Sequence, residues 1–424
     1  MGGEALAGAP QVDTISRILV LDVVRGVAVM GILAMNIVAF GLPFQAYMNP
    51  AALGAPDLPD TVSWALSFVL IDGKMRGLFS VLFGAGILLV IQRAEARGQS
   101  GAWVHYRRMG WLLVFGLLHF YLIWFGDILV GYALIGMVAY LFRNLSVRRL
   151  VGWGSGLLLV QFLIVSGMAI GILFWSQAAA APGADVDMVR QWREMERSFG
   201  TLTGPQLERN LMLFRGGYLD IVRHRLTEQA GKPFTGLFMF GWETLAYMLL
   251  GMAALKNGFL SGDWSDRAYR RTLLIGYGIG IPAYLLLAWA YHRSGFSMPM
   301  TFALAMAATV PFRPLMIAAT AALIILLTRR GSPFVDRVAA AGRAAFTNYL
   351  GTSILLTTLF YGYGFGLFGT LGRAELWLVV IAMWALMLAW SKPWLDRYRY
   401  GPFEWLWRTL ARWEVQPLRK AQPA

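Results

Sequence analysis

The sequence predicts an all-α fold, a polytopic transmembrane helical bundle of about ten spans, and two observations carry this prediction. Of its 424 residues, 58% are hydrophobic and only 14% are charged, whereas a soluble domain has about 25% charged residues. Apolar runs of about twenty residues, the length that crosses a bilayer as a helix, recur along the whole chain. A soluble protein with very hydrophobic core helices is the alternative, and the recurrence of the runs argues against it.

We assign ten apolar runs as spans, and the distribution of basic residues supports this number. They lie at residues 17–41, 75–92, 107–125, 127–142, 149–175, 234–255, 271–291, 312–328, 344–362 and 375–392. Lys and Arg concentrate in every second connection, after spans two, four, six, eight and ten, which is typical of cytoplasmic loops. Both termini are therefore predicted to lie in the cytoplasm, and an odd number of spans would break the alternation.

Three segments are predicted to lie outside these spans. Residues 42–74 contain four prolines and the apolar stretch 64–71, which is too short to cross and would lie in the interface or re-enter. Residues 176–233 carry charges of both signs, and an apolar stripe over 207–222 recurs at helical spacing, which predicts two amphipathic helices on the outer face. After span ten, Pro402 can open a short amphipathic helix whose Trp and Arg residues suit the cytoplasmic interface.

These limits divide the chain into four regions. They are an N-terminal membrane half of about five spans (1–175), an outer-side amphipathic loop region (176–233), a C-terminal membrane half of about five spans (234–398) and a cytoplasmic interfacial helix and tail (399–424). The first run is too long for a cleavable signal peptide and carries Asp22 and Arg25, so we expect it to remain as a helix.

Span eight is irregular because Pro311 and Pro314 interrupt a longer apolar stretch. Proline removes a helix hydrogen bond, so a break is predicted here. Broken helices with a buried charge line cavities in transporters, and Arg313 would then be such a charge. Alternatively, the helix simply starts at Phe312 and Arg313 lies at the outer headgroups, and we favour this second interpretation.

Composition excludes several classes of function. The formal net charge is +14, but the basic residues sit in short loops that set the topology, so we expect no nucleic-acid partner. Cysteine is absent, which removes disulfides, thiolate nucleophiles and Cys-based zinc or iron–sulfur sites. With four His in the chain, a His-rich metal cluster is not expected either, and we assign no metal ligand.

The first span carries a charged pair, Asp22 and Arg25. A charge at bilayer depth costs roughly 2.5–3.5 kcal/mol on insertion scales, so a membrane helix seldom carries such a pair without a reason. A spacing of three places both residues on one helix face, where they can pair. The pair is either a structural pin between helices or part of a substrate site, and we keep both residues as candidate substrate ligands.

A second concentration of polar residues lies where span three turns into span four. His119 lies about two helical turns inside the outer boundary, and Asp127 begins span four, where a carboxylate favours the helix N-terminus. A buried His near a carboxylate is an acid–base candidate because it titrates near neutral pH. The structural alternative is that Asp127 is an N-cap and His119 a hydrogen-bonded core residue. Tyr132, on the same stretch, is a candidate substrate ligand.

Four further polar residues inside or next to spans are candidate substrate ligands. Lys74 and Arg76 open span two from the outer side, where they could clamp a phosphate or carboxylate or snorkel to lipid headgroups. Glu243 lies in the outer part of span six, and an acid within a span is a functional candidate. Asn348 lies in span nine, where hydrogen bonding between helices is the default explanation.

Several of these segments resemble one known family. The pattern Leu21-Asp22-Val23-Val24-Arg25-Gly26, followed by Asn36, is similar to the first helix of the YeiB-like bacterial inner-membrane proteins. The resemblance covers nearly the whole chain, and its other segments are residues 79–86, 119–132, 342–349 and the closing Tyr400-Gly401-Pro402-Phe403-Glu404-Trp405-Leu406-Trp407-Arg408. It implies a multi-pass protein of the bacterial inner membrane, and it implies no particular reaction.

The first helix also resembles a wider transmembrane acyltransferase superfamily, which includes the lysosomal heparan-α-glucosaminide N-acetyltransferase and bacterial polysaccharide O-acetyltransferases. That resemblance implies transfer of an acyl group from a cytoplasmic acyl-CoA to an acceptor across or within the membrane. In the O-acetyltransferase branch, an Arg on the first helix is followed eleven residues later by a His, whereas here Arg25 is followed at that interval by Asn36. An amide is no general base near pH 7, so His119 is the helix-embedded His that would replace it, and Asn36 would help to hold the donor.

Two functions remain open at this point. In an acyltransferase, His119 would deprotonate an acceptor hydroxyl or amine and Asp127 would orient it. Lys74 or Arg76 would hold the donor or stabilise an oxyanion, and Arg25 would contact a CoA phosphate. In a transporter or lipid-handling protein, the intramembrane charges would instead line a pathway for a small anion or amphiphile. The expected partners are membrane lipids and a small-molecule or lipid-linked substrate, and a homodimer is left open.

Overall fold

The apolar runs fold as α-helices throughout residues 11–420, the part of the chain that the computed structural model describes. The first nine helices are α1 (Gln11–Gly41), α2 (Phe44–Met48), α3 (Leu58–Leu70), α4 (Lys74–Glu95), α5 (Gly101–Leu118), α6 (Leu129–Ala139), α7 (Val147–Ala180), α8 (Val186–Phe199) and α9 (Gly204–Phe214). The other nine are α10 (Tyr218–Thr227), α11 (Lys232–Lys256), α12 (Asp266–Arg293), α13 (Met298–Met300), α14 (Arg313–Thr328), α15 (Pro333–Arg343), α16 (Ala345–Phe360), α17 (Leu376–Arg397) and α18 (Pro402–Arg412).

Each of the ten predicted spans coincides with a helix, so the all-α membrane bundle is confirmed. Within the described residues, six helical segments are long and apolar enough to cross a membrane. They are Leu19–Gly41, Leu58–Glu95, Val147–Ala180, Lys232–Lys256, Asp266–Arg293 and Leu376–Arg397. Shorter apolar helical stretches follow at Leu129–Phe142, Met298–Ala307 and Arg313–Thr328. The number of ten crossings itself stays a prediction.

Helix α1 is the central helix of the bundle. Of its apolar window 83% is buried inside the protein, against 22% for the windows of α12 and α17, which therefore leave most of their surface to lipid. Glycines let α15 approach α1 backbone to backbone: a Cβ on Gly342 would overlap the carbonyl oxygen of Asp22, and one on Gly26 would overlap that of Val338. Small residues permit such close contact between membrane helices.

A reciprocal pair of glycines packs α4 against α11 in the same way. A Cβ on Gly84 would overlap the carbonyl oxygen of Met248, and one on Gly251 would overlap that of Val81. Arg76 and Glu243 lie at the same distance in sequence before their respective glycines, Gly84 and Gly251. The glycine contact therefore fixes the two polar residues at the same level of the bundle.

Residues 176–233, the region predicted to lie on the outer side, contain three amphipathic helices, α8, α9 and α10, where the sequence predicts two. The predicted apolar stripe over 207–222 is shared between α9 and α10, because Gly216 and Gly217 interrupt it. Its members Phe214 and Ile221 are buried, so the stripe is a packing face, as expected. Helix α10 lies over the end of α5, where the Tyr218 hydroxyl donates to the carbonyl oxygen of Leu122 at 2.9 Å.

Span eight is interrupted at its prolines, and its helix begins directly after Phe312, as the favoured interpretation predicts. A π-helical segment, Thr301–Ala307, ends before the two prolines, and α14 begins at Arg313 with Pro314 in its first turn. Proline suits the first turn of a helix because its missing N–H would have no partner there. The guanidinium of Arg313 is thereby carried at the start of a new helix.

The predicted C-terminal amphipathic helix is α18, and it is fixed to α16 through Glu404. The Glu404 carboxylate accepts hydrogen bonds from the backbone N–H groups of Phe346 (2.6 Å) and Thr347 (3.1 Å) and from the Thr347 hydroxyl (2.5 Å). The Thr347 oxygen accepts in turn from the Phe403 N–H at 3.0 Å. Burial raises the pKa of the Glu404 carboxyl group, and these hydrogen bonds oppose that effect. Each helix thus caps the other.

Candidate functional site

The turn that carries His119 is a short π-helix at the end of α5, over residues His119–Ile123. The Trp124 N–H donates to the His119 carbonyl oxygen at 2.8 Å, which closes this wider turn. Gly116 lets α5 come close to the start of α6, since a Cβ there would lie 2.6 Å from the backbone nitrogen of Val130. π-helical turns occur frequently at functional sites because they re-aim one side chain.

His119 and Asp127 form a buried hydrogen-bonded pair across this turn. His119 Nδ1 lies 2.7 Å from Asp127 Oδ2, and neither side chain is more than 1% exposed. Asp127 Oδ1 accepts from the Val130 N–H at 2.8 Å, so the carboxylate also caps α6. A carboxylate accepts, which assigns the proton to Nδ1 and leaves a lone pair on Nε2. That Nε2 atom is buried and has no hydrogen-bond partner among residues 11–420.

Two aromatic rings flank the imidazole and line a small cavity. The Tyr349 ring lies 5.2 Å and the Trp124 ring 6.3 Å from the His119 ring, centroid to centroid. Both side chains face a cavity between α1, α16 and α17, together with Asn36, and the volume in which a water molecule could be centred is about 10 Å³. The cavity therefore has room for about one water.

Arg76, Glu243 and Arg313 form a second buried group, where α4, α11 and α14 meet. Arg76 Nη2 donates to Glu243 Oε2 at 2.6 Å, and Arg313 Nη1 donates to the other carboxylate oxygen. Arg313 Nη2 also donates to the Thr309 hydroxyl at 2.7 Å. The Glu243 side chain is 1% exposed. One carboxylate thus serves two guanidinium groups, and the group carries one positive charge in excess.

The favoured position of Arg313 at the outer headgroups was wrong. Its side chain is only 11% exposed. Burial is possible because Glu243 provides a counter-charge inside the bundle, so Arg313 does not need the lipid headgroups for one. Gly73 makes room for the Arg313 side chain, because a Cβ at this position would lie 2.7 Å from Arg313 Nε. The φ of Gly73 is +71°, in the left-handed region that favours glycine. The sequence contains both residues, but only the packing of α11 and α14 on α4 reveals the pair.

Helix α6 joins the two buried groups. It begins beside Asp127 and carries Tyr132, whose hydroxyl donates to the Arg76 carbonyl oxygen at 3.1 Å and lies 2.6 Å from the Ser80 hydroxyl. Tyr132 and Tyr349 belong to one packed cluster of buried side chains. Five candidates therefore lie in two linked places rather than in one open chamber: His119, Asp127, Tyr132, Arg76 and Glu243.

The remaining candidates lie elsewhere. Lys74 is fully buried, donates to the Phe68 carbonyl oxygen at 2.5 Å and lies 3.3 Å from the centroid of the Tyr284 ring. Asn348 donates to the Ala341 carbonyl oxygen and to the Ser391 hydroxyl, and it accepts from the indole of Trp390.

Arg25 pairs with Asp22 at 2.8 Å, is 31% exposed, and lies about 16 Å along α1 from Asn36. This pair therefore belongs to a different level of the bundle from the cavity.

Trp124, Tyr349 and Ser80 are site residues that sequence reasoning missed. Trp124 and Tyr349 fall inside or beside the segments of family resemblance, but an aromatic residue in a membrane span carries no signal that separates a site from a belt. Among the described residues, no group of three or more His, Asp and Glu side chains is placed to hold a metal ion.

Comparison with known proteins gives several matches. Residues 254–414 match a family model described as "Protein of unknown function (DUF418)". The chain is 35% identical to uncharacterized protein YeiB of Escherichia coli (strain K12), over 96% of this chain and 98% of that protein. It is 31% identical to uncharacterized protein YxaH of Bacillus subtilis (strain 168), over 96% and 97%. No solved structure matches the chain significantly.

Proposed function

The chain belongs to the YeiB-like family of multi-pass membrane proteins, and we propose that it transfers an acyl group from an acyl-CoA to an acceptor at or across the membrane. The observation that carries the proposal is the His119–Asp127 pair. A carboxylate on Nδ1 and a free lone pair on Nε2 are the arrangement that a general base requires. The packing of the pair inside the bundle excludes water, which strengthens its electrostatic interactions.

The proposed reaction uses His119 first as a base and then as an acid. Nε2 takes the proton from the acceptor hydroxyl or amine while that oxygen or nitrogen attacks the thioester carbonyl carbon. The C–S bond then breaks, and the leaving thiolate takes the proton back from Nε2. Asp127 holds the ring in the required tautomer and stabilises the imidazolium that forms between these steps. Its second oxygen stays bound to the Val130 N–H, so the carboxylate cannot turn away.

The cavity beside His119 admits about one water, so the helices around it must part to admit the thioester. Its wall would then offer donors for the negative charge that develops on the carbonyl oxygen. Trp124 Nε1 is buried and has no acceptor in the part of the chain that the structure describes. Its indole is stacked on Phe40 with the centroids 3.8 Å apart, which fixes its direction. A rigid, unpaired N–H in dry surroundings is the kind of group that stabilises an oxyanion. Asn36, on the same cavity, provides a second donor.

Arg25 supports acyl-CoA as the proposed acyl donor, because its side chain is partly exposed, about three helical turns along α1 from Asn36. Arg25 is in contact with Asp22, and Arg343 and Arg93 lie near enough for their charges to act on the same carboxylate. Guanidinium groups bind phosphate oxygens well, so this end of α1 fits the phosphate groups of an acyl-CoA. The basic loops favour the cytoplasmic side for the end of α1 that carries Arg25. The proposal therefore places the chain in a bacterial inner membrane with both termini in the cytoplasm.

The test is transfer of radiolabel by the purified full chain in vesicles, supplied with labelled acetyl-CoA and a bacterial membrane extract. We expect a labelled product from the wild type and a loss of about a hundredfold or more in His119→Gln. His292→Gln is the matched control, because His292 is exposed on α12. Equal labelling by His119→Gln, or no labelled product across a broad set of hydroxyl and amine acceptors, would overturn the proposal.

Carriage of a small anion is the second candidate function, and the Arg76–Glu243–Arg313 group favours it. The group has one positive charge in excess, and among the described residues Arg313 Nε is buried without a hydrogen bond of normal geometry, beside the neutral Tyr284 hydroxyl. An anion could take that position during passage. Flux of radiolabelled anions into vesicles tests this candidate, with Arg313→Gln as the variant and Asp22→Asn as the control, because Asp22 lies in the distant pair.

A further inference from the structure

A groove of about 430 Å³ runs along one face of α5, where α18 ends. Its lining is Trp103, Arg107, Gly110, Trp111, Val114 and Trp413. The five α5 residues recur at the spacing of one helix face, and from Trp103 to Val114 they extend about 16 Å along the helix axis. The groove therefore runs from the polar start of α5 toward its apolar middle.

Arg107 holds the one charge among these lining residues, and the described residues offer it no acceptor. Its Nε and Nη2 atoms are buried without a hydrogen-bond partner anywhere in residues 11–420. The guanidinium lies between two indoles, 5.4 Å from the Trp103 ring and 5.6 Å from the Trp413 ring. Cation–π contacts hold the group in place, but they do not neutralise its charge. An anion from outside the chain would.

Trp413 is held over the groove by an unusual backbone. Its φ is 57°, in the left-handed region that a non-glycine residue enters at a cost of about 1–2 kcal/mol. Its side chain is 78% exposed, and that of Trp103 is 64% exposed. Two exposed indoles beside an arginine match the amphipathic level between lipid headgroups and chains, where Trp is enriched.

The surroundings of the groove are basic. Arg408 and Arg412 on α18 lie near enough to Arg108 for their charges to interact, and Arg108 itself lies 4.2 Å from the centroid of the Trp407 ring. Glu414 follows Trp413 in the chain. Basic residues next to a membrane surface attract anionic lipids by about 1 kcal/mol each.

Below Arg107 the groove is apolar and open. Gly110 leaves it empty: apart from its chain neighbours and the backbone of its own helix, no atom of the described chain lies within 4 Å of the place where a Cβ would stand. Trp111 and Val114 form its walls there, and Val114 is 42% exposed. A free phosphate ion would satisfy Arg107 but would leave this apolar length unfilled, whereas a phospholipid would fill both parts.

We propose that this groove binds one anionic phospholipid, with its phosphate on Arg107 between Trp103 and Trp413 and an acyl chain along Gly110 and Val114. The site is separate from the His119 cavity, so it does not depend on the acyl-transfer proposal. Its ligand is a structural or regulatory lipid of the layer that contains the start of α5.

Native mass spectrometry of the full chain tests this proposal, after exchange into detergent with equal amounts of phosphatidylglycerol and phosphatidylcholine. We expect the wild type to retain one phosphatidylglycerol, and Arg107→Gln to lower the retained fraction about tenfold, since one charge-assisted hydrogen bond is lost. Gly110→Leu should lower it as well, because the side chain fills the acyl part without changing any charge. Arg270→Gln is the control, since Arg270 is exposed on α12.

Three outcomes would overturn the proposal. Retention that falls equally in Arg270→Gln would show ordinary contact with surrounding lipid. Equal retention of phosphatidylcholine would remove the role of the charge. Displacement of the lipid by inorganic phosphate, with no effect of Gly110→Leu, would assign the site to free phosphate. A thermal melt of each variant shows whether it is folded. If Arg107→Gln does not fold, Gly110→Leu still tests the proposal.

Discussion

The Arg76–Glu243–Arg313 group and the His119–Asp127 pair are both buried, but they leave different atoms free. In the first, both carboxylate oxygens of Glu243 receive a guanidinium group, and each partner comes from a different helix. In the second, both carboxylate oxygens of Asp127 are also engaged, yet Nε2 of His119 is left without a partner in the described chain. Among the described residues, the first group joins three helices and leaves only a donor atom, Arg313 Nε, without a hydrogen bond of normal geometry, whereas the second leaves an acceptor atom that can take a proton from a substrate. Burial of a charge alone therefore does not separate structure from chemistry.

The largest expected effect is on stability, and it comes from Glu243→Ala. Removing the shared carboxylate leaves two buried guanidinium groups unpaired, which costs about 3–5 kcal/mol. We expect the variant to melt far below the wild type or to fail to accumulate, as measured by fluorescence-detected size exclusion after heating. The exposed ion pair of α8 is the control, and Asp187→Ala should melt with the wild type. A normal melt for Glu243→Ala would show that the joint is not structural.

Asp127→Asn should affect activity more than stability, which sharpens the contrast. The amide oxygen can still accept from the Val130 N–H, so the α6 cap remains and the melt should shift little. The amide nitrogen, however, donates toward His119 Nδ1 and forces the proton onto Nε2, which removes the base. We expect labelled acyl transfer to fall about a hundredfold or more at nearly unchanged stability. Loss of stability without a specific loss of transfer would make the pair structural instead.

Gly84→Ala tests the contact that aligns Arg76 with Glu243. The added methyl group would overlap the Met248 carbonyl oxygen, so α4 and α11 must move apart, at a cost of about 1–3 kcal/mol. Gly86→Ala, two residues along the same helix, is the matched control, because no described atom lies within 4 Å of its Cβ position. Replacing glycine there should be neutral or slightly stabilising. Equal melts for both variants would argue against the close packing.

Thr347→Val has the smallest expected effect, about 1 kcal/mol, because it removes one hydroxyl from the junction of α16 and α18. The Glu404 carboxylate would lose one donor but keep the two backbone N–H groups, and the part-buried Phe403 N–H would lose its acceptor. Thr358→Val is the control, since its hydroxyl donates within α16 alone, to the Ile354 carbonyl oxygen. A melt of the isolated variants in detergent checks both, and a larger loss in Thr358→Val would contradict the role of the junction.

The sequence predicts local features of this protein better than distant ones. The ten helices follow from apolar run length, and the place of His119 beside Asp127 follows from a turn that separates them by 8 residues. Glu243 is 167 residues from Arg76 and 70 from Arg313, so their contact depends on how α4, α11 and α14 pack. A single sequence contains no information on that packing. For the same reason, the sequence favours a headgroup position for Arg313 and gives no sign that Glu404 is a buried cap.

The junction of Glu404 with α16 also bears on how the protein is made. Helix α16 leaves the ribosome before α18, so its first amides must wait for an acceptor until the later segment has been synthesised. During that interval the N–H groups at the start of α16 can be satisfied only by water or by headgroups. Docking of α18 then acts as the closing step of biogenesis, after which the bundle is sealed at that end.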